Sequence, residues 1–175
     1  MEIKQPAAHL DQMIRQTRAH HVQLSLMADT KANMMLTIAS LLVPLSIRFL
    51  NDPQYRLPAM IMISFCMLTV VLSAYAAMPK IRWLKNTGAD SNLKHPMFNI
   101  LFFGSFLKMS YPDFIDSMEE LMNDHNLSYE AQLRELYTMG SYLEQRKYRF
   151  VRLAYMAFIS GAVISSTAYI VGSFT

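Results

Sequence analysis

Three stretches of this chain, residues 32–50, 57–78 and 150–174, are almost unbroken runs of apolar side chains. A helix needs roughly 20 mostly apolar residues to cross the hydrocarbon of a bilayer, so each run is long enough to span one. The rest of the chain holds no comparable run. The turn-rich stretch 51–56 (NDPQYR) joins the first two runs. It predicts a hairpin across the membrane, with Pro58 at the start of the second helix. Residues 1–31 are polar and carry His9, His20 and His21, a pattern unlike a secretory leader, so the first run is expected to be a retained anchor.

Between the second and third runs the pattern becomes that of water-facing helices. Residues 86–92 (NTGADSN) form a loop by composition. Residues 110–124 read as a helix, with Ser110 and Asp113 spaced as a capping box and Phe114, Met118, Leu121 and Met122 on one face. Ser128 is the expected cap of a longer helix with Leu133, Leu136, Tyr137, Met139 and Leu143 at helical spacing. Only Gly140 interrupts it, which predicts one continuous helix entering the third run. The N-terminal arm, with Leu10, Ile14, Val22 and Leu26, is likewise expected to continue into the first run. The stretch 99–106 (NILFFGSF) fits a buried strand or a buried helical turn and is taken as core packing. The expected fold is an all-α integral membrane protein. A helical arm (1–31) is followed by a transmembrane hairpin (32–78), a helical region (79–149) and a third transmembrane helix (150–175).

Charge then orients the chain. Lys4, Arg15, Arg18 and Lys31 precede the first run; Lys80, Arg82 and Lys85 follow the second; Arg146, Lys147 and Arg149 precede the third. The hairpin tip has only Arg48 and Arg56. Positive residues stay on the cytoplasmic side, which places the N-terminus and 79–149 in the cytoplasm and the C-terminus outside. A composition of 53% hydrophobic and 17% charged residues, with 15 Met in 175 residues, agrees with a membrane protein. The net charge of +3 does not by itself indicate a nucleic-acid binder, and the lone Cys66 inside an apolar run excludes a disulfide framework.

No phosphate-binding glycine loop, HExxH, GxSxG or zinc-spaced Cys/His cluster is present, and the chain is expected not to be an enzyme and to need no cofactor. His20 and His21 point in different directions on a helix, so with Asp29 they make a poor metal site, and none is expected. His95 and His125 lie in loop-like surroundings and are given no role.

Three polar or small-residue patterns stand out. On a helix Asp29, Asn33, Thr37 and Ser40 share one stripe, which Pro44 and Arg48 continue. Polar groups in a bilayer tend to face a bundle interior or an aqueous cavity, so this stripe can line a pore. Equally, Asp29 and Lys31 can sit at the interface, Thr37 and Ser40 can bond back to their own helix, and Arg48 can reach the outer surface. In the third run Ala154, Ala157, Gly161, Ser165, Ala168 and Gly172 form a seam that permits close approach of another span, of this chain or of a neighbour. A basic and aromatic cluster comprises Arg82, Trp83, Lys85, Arg146, Lys147 and Arg149, with Lys80 and Tyr148 beside them. It suits contact with anionic lipid, or a pocket in which arginines hold phosphate and an aromatic ring stacks on a base.

Residues 21–36, 98–106, 111–124 and 135–161 together resemble the Pycsar effector family of bacterial antiphage membrane proteins. The most specific runs are Ala28-Asp29-Thr30-Lys31-Ala32, Phe102-Phe103-Gly104 and Arg146-Lys147-Tyr148-Arg149. The resemblance implies an inner-membrane effector of antiphage defence that answers a nucleotide signal by compromising the membrane, with a periplasmic C-terminus. The signal would come from a partner nucleotidyl cyclase or nucleotidyltransferase. Cyclic pyrimidine mononucleotides serve in Pycsar systems, and a DNA oligomer is the signal thought to control a similar effector of the Hailong system. The leading expectation is an oligomeric ion channel, taken as a homotetramer, that depolarises the cell in abortive infection. The alternative is a membrane-anchored scaffold recruiting a cytoplasmic partner.

Overall fold

A computed structural model describes residues 7–78, 98–107 and 109–174. Within them the chain is helical throughout: α1 (Ala8–Ile47), α2 (Pro53–Ala77), α3 (Phe103–Phe106), α4 (Tyr111–Asn123), α5 (His125–Tyr142), a π-helical turn (Leu143–Tyr148) and α6 (Arg149–Gly172). Three helical stretches, α1, α2 and the run His125–Gly172, are long and apolar enough to cross a membrane. The loop expected at 86–92 and His95 lie outside the described residues.

The chain divides into two compact units, one of Met1–Val22 with Pro79–Ser141, the other of Gln23–Met78 with Tyr142–Thr175. In the first unit Phe98, Ile100 and Leu121 form a buried core, with Phe114, Met118, Leu127 and Ala131 packed around it. The stretch 99–106 therefore serves as core, as a turn and the short α3 rather than a strand. Ser110 caps α4: its hydroxyl accepts from the Asp113 amide at 3.3 Å and donates to the Asp113 carboxylate at 2.6 Å. The cap of α5 differs from the sequence reading. Asp124 accepts from the amides of Asn126 and Leu127, so the helix opens three residues before Ser128. A carboxylate at a helix start competes well for orphan amides, and it does so here one turn earlier.

In the second unit α2 and α6 pack through small side chains. Ala59, Cys66, Thr69, Ser73 and Ala76 are buried on α2, and Ala154, Ala157 and Gly161 on α6. Ala28 and Ala32 of α1 join Ala76 and Val151 in one cluster. Without a hydrophobic drive in lipid, such close contact supplies the dispersion energy that holds spans together. Asp52 caps α2 by accepting from the Gln54 amide at 3.1 Å, which starts the helix at Pro53 and leaves Pro58 inside it rather than at its start. At the far end Tyr55 stacks on Tyr169 with ring centroids 5.2 Å apart.

The helix entering α6 is continuous, but it passes through the π turn, whose last bond runs from the Arg149 amide to the Glu144 carbonyl. A π turn accommodates one extra residue, and such turns recur at functional sites. Here it turns Lys147 and Leu143 inward.

Candidate functional site

The inward lysine of the π turn meets α1. Lys147 Nζ donates to both carboxylate oxygens of Asp29, at 2.8 and 2.7 Å, and to the Ser25 hydroxyl at 2.8 Å. Its three protons are thus all used. The neighbouring Tyr148 hydroxyl donates to the Leu24 carbonyl at 3.1 Å, a second tie between the π turn and α1. The lysine side chain is 11% exposed and the Asp29 side chain 33%, so the pair is partly withdrawn from water. Burial, and then the charge of Asp29, raise the pKa of Tyr142, whereas Arg146 opposes the shift.

Two sets of residues that the sequence reading kept apart therefore meet, since Asp29 belongs to the polar stripe and Lys147 to the basic cluster. Their separation of 118 residues carries no periodic signal, and neither Ser25 nor the Leu24 carbonyl stood out. Of the rest of the basic cluster, Arg146 and Arg149 are exposed. Arg82, Trp83 and Lys85, with Lys80, lie outside the described residues.

Along α1 the buried row is Ala28, Ala32, Met35 and Ala39. The polar stripe turns the other way: Asn33, Thr37, Ser40, Pro44 and Arg48 are all exposed on the single chain. The Thr37 hydroxyl bonds back to the Asn33 carbonyl at 2.9 Å, which lowers the cost of placing it in an apolar setting.

The small-residue seam of α6 faces α2 through most of its length. A Cβ on Gly161 would collide with the Cβ of Phe65 and lie 2.8 Å from its Cγ. Ser165 donates to the Pro58 carbonyl at 2.9 Å. Ala154 and Ala157 are buried, Ala168 is half-buried, and Gly172 meets nothing within 4 Å. The α2 half of this contact was not singled out from sequence, although its small residues recur at helical spacing. Ser73 on that face is buried with no hydrogen-bond partner among the described residues.

In the first unit Tyr129 donates to Asp11 at 2.6 Å, and Arg18 pairs with Glu135. Arg134 donates to the Phe98 carbonyl at 3.0 Å and to Glu130 at 2.8 Å. His20 is exposed, and His21 is half-buried beside Gly140. Among the described residues no three His, Cys, Asp or Glu side chains are grouped to hold a metal.

A family profile described as "Pycsar effector protein domain" matches residues 12–172. No curated protein and no solved structure matches the chain.

Proposed function

Because this chain belongs to the Pycsar effector family, and is thereby a membrane-embedded effector of antiphage defence, we propose that copies of it assemble into an ion channel controlled by a nucleotide signal. The observation that carries the reading is the pair of opposite rows on α1. The alanine row is used up inside the chain's own bundle, while Asn33, Thr37, Ser40 and Arg48 remain exposed on a helix long and apolar enough to span a membrane. A polar row left against acyl chains is costly, and sister copies that turn these rows toward a common axis remove that cost and enclose water. A homotetramer is the assembly proposed.

Control follows from the ion pair. Lys147 holds Asp29, at one end of the polar row, through two of its donors and Ser25 through the third. A phosphate arriving beside Arg146 would compete with Asp29 for that ammonium group, and the exchange would release or capture the end of α1. A ligand that binds the two arrangements unequally shifts their populations. The ligand is proposed to be a cyclic pyrimidine mononucleotide or a DNA oligomer from a cyclase or nucleotidyltransferase of the same system. The site is the bacterial inner membrane, with the N-terminus cytoplasmic and the C-terminus periplasmic.

The test is membrane potential, read with a voltage-sensitive dye in infected cells carrying the chain and its partner enzyme. Replacing Asn33 and Thr37 together by Leu should abolish depolarisation while the protein remains in the membrane fraction. Unchanged depolarisation would remove the row from the conduit, and activity that survives exchange of all three spans for unrelated ones would favour a scaffold.

A further inference from the structure

One face of α6 is served by neither the packing seam nor the proposed conduit. Arg149, Arg152, Met156, Ile159 and Val163 follow at spacings of three and four, which sets them in one stripe opposite the seam that packs on α2. All five are exposed. Neither arginine is paired with a carboxylate among the described residues, in contrast to Lys147 just before them. Arg152 lies inside the apolar run 150–174, next to Val151, which packs in the cluster with Ala28, Ala32 and Ala76. The same level carries the Tyr75–Phe150 ring pair, with centroids 4.4 Å apart, as expected of an aromatic belt at a membrane boundary.

We propose that Arg149 and Arg152 bind the phosphate of an anionic phospholipid whose acyl chains lie along Met156, Ile159 and Val163. The chemistry fits each end of such a molecule. A planar guanidinium forms paired hydrogen bonds to phosphate oxygens and tolerates partial desolvation better than an ammonium. The side chains of Met156, Ile159 and Val163 themselves are apolar and exposed, which suits contact with acyl chains. Zwitterionic lipid carries its own cation, so it gains less from two fixed guanidiniums than a lipid of net negative charge. The consequence is a selective annular lipid held at the foot of the third span, independent of any nucleotide and of conduction.

The full chain with Trp83→Phe and Met156→Trp, reconstituted in vesicles, tests this by fluorescence quenching. Brominated phosphatidylglycerol and brominated phosphatidylcholine are compared as quenchers of the tryptophan at 156. The two arginines should give phosphatidylglycerol a preference of fivefold or more, since each basic residue near a lipid surface is worth roughly a factor of five. Arg149→Gln with Arg152→Gln should bring the ratio close to one, whereas Arg149→Lys with Arg152→Lys should keep most of it. The emission maximum reports insertion for each variant. Equal quenching by both lipids in the unsubstituted arginine form, or a preference that survives the Gln pair, would overturn the proposal. So would loss of the preference on adding inorganic phosphate but not sodium chloride of equal ionic strength, because the arginines would then serve a soluble phosphate.

Discussion

Gly161→Ala is the smallest change that probes the contact between α2 and α6. The added Cβ would collide with the Phe65 Cβ and stand 2.8 Å from Cγ. The Phe65 Cβ is fixed by its own backbone, so no ring rotation relieves the overlap, and the two helices must move apart. Overpacking of this kind costs about 1–3 kcal/mol. Separation also stretches the Ser165 to Pro58 hydrogen bond, now 2.9 Å, whose net worth is about 1 kcal/mol. Against these, alanine is the better helix former by about 1 kcal/mol. The balance is a loss of about 1–3 kcal/mol. Gly172→Ala serves as the control, because nothing lies within 4 Å of its added Cβ, and its effect should stay within about 0.5 kcal/mol. Unfolding in mixed micelles of increasing sodium dodecyl sulfate, followed by far-ultraviolet circular dichroism, measures both. A Gly161→Ala protein as stable as the parent, or more stable, would refute the packing argument.

Lys147→Met leaves Asp29 without its cation. With the side chains 11% and 33% exposed the loss should fall between those of exposed and buried pairs, about 2 kcal/mol, and a double-mutant cycle with Asp29→Asn in the same assay should return a coupling of about 1 kcal/mol. The hydrogen bond from Tyr129 to Asp11, and then burial, raise the tyrosine pKa above 10.0. That contact is therefore fully present below pH 10 and is lost as pH climbs through the raised value; an ultraviolet difference titration should show that Tyr129→Phe removes an ionisation lying above the ordinary tyrosine range. Asp124→Ala should cost about 1 kcal/mol and speed amide exchange at Asn126 and Leu127, whose amides it caps.

The three spans were legible because length and apolar composition are local properties, and α1, α2 and α6 carry the runs at 32–50, 57–78 and 150–174 except for the final residues of each, 48–50, 78 and 173–174. The capping box at Ser110 was legible for the same reason. Misplaced boundaries arose where two residues compete for one role: Asp124 took the cap expected of Ser128, and Asp52 set the start expected of Pro58. The π turn left no trace in the hydrophobic pattern, because an inserted residue only shifts the phase, and both Leu143 and Lys147 are buried by it. The ion pair was invisible for a different reason. Asp29 and Lys147 each look like ordinary interfacial charges, and only the fold brings them within 2.7 Å.

The central claim, that the exposed row on α1 faces water between sister copies, is tested most directly by cysteine accessibility. In a Cys66→Ala background, single cysteines at Asn33, Thr37 and Ser40 are compared with one at Ile38, which is also exposed on α1 but on another face. The account predicts that a charged, membrane-impermeant thiosulfonate reacts at 33, 37 and 40, reduces the ion current across a planar bilayer, and leaves the Ile38→Cys protein unaffected. Equal protection of all four positions, or reaction confined to Ile38→Cys, would contradict it.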